Sequence, residues 1–512
     1  EKIIVKILME KQEKDDSYSH ILKYTSLFGG VQGLGILVGI VRNKLVALLL
    51  GPDGMGLVSL FNSTIKLVSD STNFGLSMSA VKNLSEAYDT GDDEKVRHAV
   101  RLVRSWSLLT ALLGMVVCIV FSPFFDKWTF TWGNHTLHFV LLSPVVGLMA
   151  ITSGETAVLK GVRKLRPLAL ISLCCVFLAL LCSVPIYYEF GQSGIVLSLV
   201  LFALMQCLTT IVFSFRLYAP SFSLSRTLLG EGFGMVRLGM AFVLAGILGS
   251  GAEFVVRSYL STSGQLTAVG LYNAGYVMTM TYAGMVFSAM ETDYFPRLSG
   301  IPTLGARLNQ VVNHQMEVSL LLVSPLLVLF LVFLPILLPL LYSGHFLPIL
   351  GMMKVVVLAM YFRALTLPVE YIALSRSDSH AYLLLEAVYD IAFVVLVILG
   401  YHYLSLWGTG LGLLLASGLN FVVVMAYSHW RYRFVASREV KLYALLQMPL
   451  GGLAFLGTYA FEGWLYWVVG LLLAAVSLVL SVWVLHSKSN LWQALKDRLL
   501  RRFRKSSNQN NE

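Results

Sequence analysis

Charge is what this sequence has least of. Only 13% of its 512 residues are Asp, Glu, Lys or Arg, while 57% are hydrophobic. A soluble domain carries about twice that charged share, so a water-soluble globule is excluded. Cysteine is scarce as well. Cys118, Cys174, Cys175, Cys182 and Cys207 all lie inside apolar segments, and no C-x-x-C is present. That pattern excludes a disulfide scaffold or a zinc site and leaves small buried hydrophobes. No polar stretch is long enough for a separate soluble domain, and the first residues lack a cleavable signal pattern. The chain opens on Glu1, so an initiator Met is missing and the sequence leaves the true start open.

Enzyme signatures are missing too. There is no G-x-G-x-x-G after a strand, no Walker motif, no H-E-x-x-H and no G-x-S-x-G. His135 and His138 adjoin a loop without a partner set for a metal, and His314, His345, His380, His402 and His429 are scattered. No cofactor and no metal are expected. Without a nucleotide-driven motor, transport would run on an ion gradient, the substrate gradient or downstream consumption.

What is present is apolar length. Runs of 20 or more apolar residues recur throughout, the mark of a helical polytopic membrane protein and not of the short alternating strands of a β-barrel. Fourteen spans are predicted: 24–49, 55–80, 100–122, 137–159, 167–189, 193–215, 235–259, 267–293, 314–341, 348–374, 381–401, 407–429, 442–461 and 463–486. Several exceed the ~20 residues that cross a bilayer core, so tilt or bending is expected. With the amino terminus inside, the inner segments hold 31 Lys and Arg and the outer loops hold one, Lys127. The bias predicts a multi-pass protein with both termini cytoplasmic. The net charge of +10 belongs to this bias and gives no support for nucleic-acid binding. The longest outer loop, 123–136, is too short for an extracytoplasmic catalytic domain.

The basic tail 490–507 can gather Leu491, Trp492, Leu495, Leu499 and Phe503 on one face. It suits either docking on anionic headgroups or a solvated topology signal. An internal repeat is visible as well. "GLVSLFN" from Gly56 resembles "GLYNAGY" from Gly270, and "NLSE" from Asn83 meets "RLSG" from Arg297, both at an offset of 214. That offset spans an even number of helices, so the copies run parallel, a transporter arrangement in which two halves rock about a central site. The expected organisation is an extension at 1–17, an N-lobe at 18–230, a C-lobe at 231–430, two further helices at 431–486 and a basic tail at 487–512.

The six cations outside that inner and outer count sit within spans: Arg42, Lys44, Lys66, Arg257, Lys354 and Arg363. Charge at the bilayer centre costs ~2.5–3.5 kcal/mol per residue on insertion scales, so each needs a partner, water or a function. Arg42 and Lys44 precede "LVALLLGPDGMG", which carries them about 13 Å along a helix from Gly51. They face either an aqueous cavity or, with tilt, an interface. Lys66 with Asp70 and Glu253 with Arg257 are i, i+4 pairs that can neutralise one another. Arg363 and Glu370 share a face, with Lys354 opposite; Glu155, Glu291, Asp293, Glu386 and Asp390 lie toward cytoplasmic ends. A cationic cavity drawn from both halves suits an anionic substrate, because Arg matches phosphate oxygens and keeps its charge when desolvated. Asp70, Glu253 and Glu370 are the candidates for ion coupling. Gly29, Gly33, Gly35 and Gly39 give span 1 small-residue spacing for close packing or bending.

"IVRNKLVALLLGPDGMGLVSLFNSTIKLVS" (40–69) resembles the first helical hairpin of Wzx-type O-antigen and polysaccharide flippases, where a helix ends in an LLGPxGxG turn. "VLKGVRKLRPLALIS" (158–172) resembles their connector between spans 4 and 5. The resemblance covers 18–486, mainly through span pattern, and only the hairpin is specific. It implies the multidrug/oligosaccharidyl-lipid/polysaccharide exporter superfamily: an all-α protein of two pseudo-symmetric six-helix lobes around a cationic central cavity, plus two carboxy-terminal helices. It implies an undecaprenyl-pyrophosphate-linked oligosaccharide, such as an O-antigen unit, flipped from the cytoplasmic to the periplasmic leaflet by alternating access. Partners would be that lipid-linked sugar, the bilayer, and polysaccharide polymerase and chain-length machinery. Arg42, Arg257 and Arg363 would hold pyrophosphate, and Tyr272, Tyr276 and Trp106 would stack on sugars. The alternatives are a lipid II flippase, an ion-coupled drug or cation antiporter, and a membrane polysaccharide polymerase or ligase.

Overall fold

The computed structural model describes residues 2–223, 225–282, 287, 294–295, 297–301, 303–376 and 378–488. Among these, all regular structure is helical. The helices are α1 (Lys2–Thr72), α2 (Leu76–Asp89), α3 (Asp93–Thr129), α4 (Thr136–Gly161), α5 (Leu165–Phe190), α6 (Ile195–Phe215), α7 (Arg226–Ser263) and α8 (Leu266–Tyr276). They continue as α9 (Ala306–Leu341), α10 (Leu350–Ser375), α11 (Ser379–Tyr432), α12 (Arg438–Ala460) and α13 (Gly463–Lys488). Ten stretches of the described chain are long and apolar enough to cross a membrane. Three of them join more than one predicted span: Leu37–Thr72, Arg166–Phe215 and Ser379–Tyr432. At 1.5 Å per residue, the 54 residues of α11 would span about 80 Å as a straight rod, against a hydrocarbon core of ~30 Å. The backbone breaks at Ser405 (φ 53°, ψ −144°), where the sequence places the gap between spans 11 and 12. The 50-residue stretch Arg166–Phe215 breaks likewise at Gly191 (φ 55°). Glu291 and Asp293, the end of span 8 and the tail 490–507 lie outside the described residues.

The Gly-Pro corner after "LVALLL" is a sharper device than a four-residue turn. Gly51 alone leaves helical geometry (φ 65°, ψ −173°), and helix resumes at once with Pro52. Glycine takes positive φ without strain, and proline fits the first helical position because its missing N–H would have no partner there. The connectors at the basic ends of the helices are written differently. Asp92 caps α3 through Glu94 N (2.9 Å), Ser225 caps α7 through Leu228 N (3.3 Å), and Ser437 caps α12 through Val440 N (3.1 Å).

The chain forms two compact units. The first comprises 1–273 and 339–346, the second 274–338 and 347–512. Their boundary differs from a division into six consecutive spans, because α7 packs on α1, α2 and α3 within the first unit. There, Leu76, Ala80, Leu84, Val100, Val103, Trp106, Val158 and Leu228 form one buried core at the basic ends of the helices.

The repeat has a physical signature. The Thr267 hydroxyl donates to Asp53 Oδ1, and these two residues are 214 apart. Gly56 and Gly270, separated by the same offset, are pressed together: a Cβ on Gly56 would meet Gly270 N at 3.1 Å, and one on Gly270 would meet Gly56 N at 2.9 Å. A residue touching its own repeat mate lies on a two-fold axis, as in any isologous contact. The offset found by matching letters thus marks a local pseudo-two-fold at the tips of two hairpins.

Candidate functional site

The intramembrane charges separate into three settings. In the first unit, α1 and α7 bring Lys66, Asp70, Glu253 and Arg257 together. Arg257, 6% exposed, donates through Nη1 to Glu253 Oε2 at 3.0 Å, through Nε to Ser59 Oγ at 2.9 Å and through Nη2 to Asn273 Oδ1 at 3.3 Å. Lys66 Nζ reaches the other carboxylate oxygen of Glu253 at 3.3 Å, with its side chain 50% exposed. Asp70 lies beside Lys66, Ser250 and Glu253. The helical pair Glu253–Arg257 is therefore formed, and Lys66 extends it across helices. A rigid guanidinium and a mobile ammonium share one carboxylate.

The second unit holds the other grouping. A cavity of about 140 Å³ is lined by Arg363, Glu370, Tyr382, Glu386, Tyr389 and Asn420. Asn420 Nδ2 donates to Glu370 Oε1 at 2.8 Å. Tyr382 and Glu386, one turn apart on α11, hydrogen-bond through their side chains. Arg363 projects among these carboxylates from α10, so this is a predominantly acidic, tyrosine-walled site with one guanidinium.

The remaining cations bond elsewhere. Arg42 Nε donates to Ser183 Oγ at 3.0 Å, against α5, with Cys182 and Tyr187 alongside. Lys44 Nζ donates to Pro339 O at 2.5 Å, and Lys354 Nζ to Thr458 O at 3.1 Å while resting 4.4 Å from the Tyr459 ring centre. Both carbonyls belong to the last turn of a helix, α9 and α12 respectively. Such carbonyls lack intrahelical donors and carry the negative end of the helix dipole, so an ammonium satisfies them. Of the aromatics, Tyr272 is 1% exposed and Trp106 is 4% exposed in the core. Gly232 lies so close over the Trp106 ring that a Cβ there would overlap it. Tyr276 packs on Phe393 with centroids 6.4 Å apart.

Sequence reasoning passed over several residues. Glu155 is bound by Arg104, through Nε at 2.9 Å and Nη2 at 3.2 Å, with side chains 4% and 1% exposed. Arg104 had counted only as an inner positive charge. Its position inside the predicted span 100–122 was the available signal. Asn420, Ser59 and Asn273 are uncharged polar residues within apolar helices, and a search limited to charges does not reach them.

The comparisons agree with this architecture. Stage V sporulation protein B of Bacillus subtilis (strain 168) is 25% identical over 134 residues, a match spanning 26% of each chain. Among solved structures, an inward-facing multidrug resistance MATE family transporter of the MOP superfamily superposes with a TM-score of 0.61 at 16% identity, covering 78% of this chain and 94% of that one. The lipid II flippase MurJ, in an inward closed conformation, gives 0.61 at 12% identity, covering 90% and 99%. At these identities the likeness is one of fold: an all-helical, multi-pass membrane protein built as these transporters are. Residues 45–350 match the family described as polysaccharide biosynthesis protein, more than half of the chain. The chain therefore belongs to the polysaccharide biosynthesis protein family.

Proposed function

We propose that the chain is a flippase for a lipid-linked oligosaccharide. It carries an undecaprenyl-pyrophosphate-linked unit of an O-antigen or similar surface polysaccharide from the cytoplasmic to the periplasmic leaflet of a bacterial inner membrane. The lobes 18–230 and 231–430 would rock against each other, with helices 431–486 appended, both termini cytoplasmic, and polymerase and chain-length proteins downstream. The observation that carries the reading is the sharing of Glu253 by Lys66 and Arg257. A carboxylate held by two cations occupies the place a phosphate oxyanion would take, and Arg presents the planar fork that phosphate favours.

The chemistry follows from that exchange. A pyrophosphate entering the site competes with Glu253 for Lys66 and Arg257. Ser59 and Asn273 keep the guanidinium aimed while its carboxylate partner changes. Glu253, stripped of its cations, is then a buried carboxylate that a proton or metal cation must neutralise, which ties substrate binding to ion binding. Asp70 beside it and Glu370 in the second unit are the further coupling candidates. Arg42, Lys44 and Lys354 serve packing and helix ends in this reading, and Arg363 balances the acids around Glu370.

The test is a depletion strain analysed for the glycan that accumulates and for its leaflet. Accumulation of an oligosaccharide-pyrophosphate lipid in the cytoplasmic leaflet, reproduced by Lys66→Ala and Arg257→Ala at normal protein abundance, is the expected result. Accumulation of lipid II would assign a lipid II flippase. The pairing of Glu370 with Glu386 in one cavity favours ion coupling and keeps a cation antiporter as the second reading. That reading gains if Glu370→Gln abolishes transport of a cationic drug while the arginine variants stay active.

A further inference from the structure

A second anion site lies at the basic ends of the helices in the first unit, apart from the membrane-embedded cluster. A cavity of about 470 Å³ opens between the start of α3, the connector 217–221 and Lys164. Arg97, Arg101 and Lys164 line it, with Asp93 as its carboxylate and Tyr88 and Tyr218 as walls. Arg97 and Arg101 are one helical turn apart and so share a face. Neighbouring cations are already engaged: Arg163 with Asp89 at 2.7 Å, Lys95 with Asp92 at 3.7 Å, His98 with Glu231 at 2.9 Å and Arg104 with Glu155 at 2.9 Å. Among the described residues Arg97, Arg101 and Lys164 have no ion pair. Three cations thus face one carboxylate, Asp93, in the cavity.

The cavity is also rigidly floored. Arg104 Nη1 donates to Ala219 O at 2.8 Å and Nη2 to Tyr218 O at 3.2 Å, while Ser223 N donates to Ser105 Oγ at 3.1 Å. The connector is thereby fastened to a buried ion pair. Burial, with Asp93 and Tyr88 nearby, pushes the Tyr218 phenol above its ordinary range, so it stays a hydrogen-bond donor.

The repeat supplies an internal control. In the second unit Ser437, 214 residues after Ser223, donates its N–H to Asn313 Oδ1 at 2.7 Å, and a cavity lies beside it. There Glu317 and Glu439 accompany Arg297 and Arg307, so cations do not dominate. The same scaffold position is cationic in one half and mixed in the other.

We propose that the cavity between Arg97, Arg101 and Lys164 binds the phosphate of an anionic lipid headgroup in the leaflet on the basic side. Basic pockets between membrane helices on that side recognise such headgroups. The full chain, purified into nanodiscs of phosphatidylglycerol mixed with phosphatidylcholine, is analysed by native mass spectrometry for retained lipid. Phosphatidylglycerol should be retained over phosphatidylcholine. Arg97→Gln with Arg101→Gln should lower that preference about 30-fold, the product expected for two surface cations. Arg307→Gln should leave it unchanged. Both substituted arginines are exposed, and an unchanged melting temperature certifies the fold. Equal retention by the double variant, or an equal loss in Arg307→Gln, would overturn the proposal. Inorganic phosphate distinguishes a soluble source: if 10 mM (roughly a physiological level) displaces the lipid completely, with binding still dependent on Arg97 and Arg101, the lipid assignment falls.

Discussion

Replacing Glu155 by Ala would strand a buried guanidinium, and the structure sets the size of the effect. Arg104 is 1% exposed and its partner 4%, so neither charge can turn to water. The guanidinium bonds both Glu155 oxygens, Ser214 Oγ at 3.3 Å, and the carbonyls of Tyr218 and Ala219, and it lies 4.5 Å from the Phe215 ring centre. Ser214 in turn donates to Glu155 Oε2. Breaking one side of such a pair costs about 3–5 kcal/mol, because the other charge stays desolvated. The double change Arg104→Met with Glu155→Leu removes both charges and leaves two part-buried carbonyls at about 1 kcal/mol each. It should therefore be more stable than Glu155→Ala alone, the non-additivity of groups in contact. The assay is thermal unfolding followed with a thiol-reactive dye, since Cys118, Cys175, Cys182 and Cys207 are buried and report opening. Glu155→Ala should lower Tm by about 3–5 °C for a chain of 512 residues. A shift within experimental error, or a double variant worse than the sum of the singles, would refute the account of this pair.

Arg257→Lys should fail to restore flipping where Arg257→Ala abolishes it, because an ammonium cannot reproduce the simultaneous bonds to Ser59, Glu253 and Asn273; leaflet analysis of accumulated lipid-linked glycan measures it. A short bis-maleimide joining Asp53→Cys to Thr267→Cys should react in the state described here and stop transport, and free turnover in the cross-linked protein would show that this contact never opens. Burial, then His138, pull His135 below the ordinary histidine range, with Asp126 partly opposing. A depressed histidine favours the neutral form, so its stabilisation is complete above about pH 6.5 and is lost as pH falls through the lower folded value. His135→Gln should flatten the fall in Tm below about pH 6.5, and an identical slope in the variant would exclude His135 as its source.

The helices were legible because lipid leaves few choices: apolar length marks a span, and the Gly-Pro at 51–52 marks its end. The partners of the charges were legible only where they lay on one helix. Glu253 and Arg257 follow from i, i+4 spacing, whereas the ammonium of Lys66, with Asp70 one turn away, crosses to Glu253 on α7. Lys354 illustrates a different gap. Its carbonyl partner at Thr458 is a backbone group 104 residues away, and backbone groups leave no letter in a sequence. Arg104 was hidden by the rule that exposed the topology. Counting positive charges by loop treats each as solvated, while burial depends on which helix face meets Glu155.

The pseudo-two-fold contact sharpens what the anionic-substrate reading requires. Asp53 meets Thr267 and Gly56 meets Gly270 because each residue of a mate pair stands at the same distance from the local axis. The charged groups do not obey that symmetry. Lys66 and Asp70 have Met280 and Gly284 214 residues later, and Arg257 has Asn43 214 residues earlier, so none of the three has a charged mate. A repeat that keeps its hairpin-tip contact while changing its membrane-embedded charges holds the scaffold and varies the charged groups. A symmetric pair of phosphate sites would need cations repeated at 214. A single asymmetric site needs them once, beside a carboxylate that can be released, and that is the arrangement of Lys66, Arg257 and Glu253.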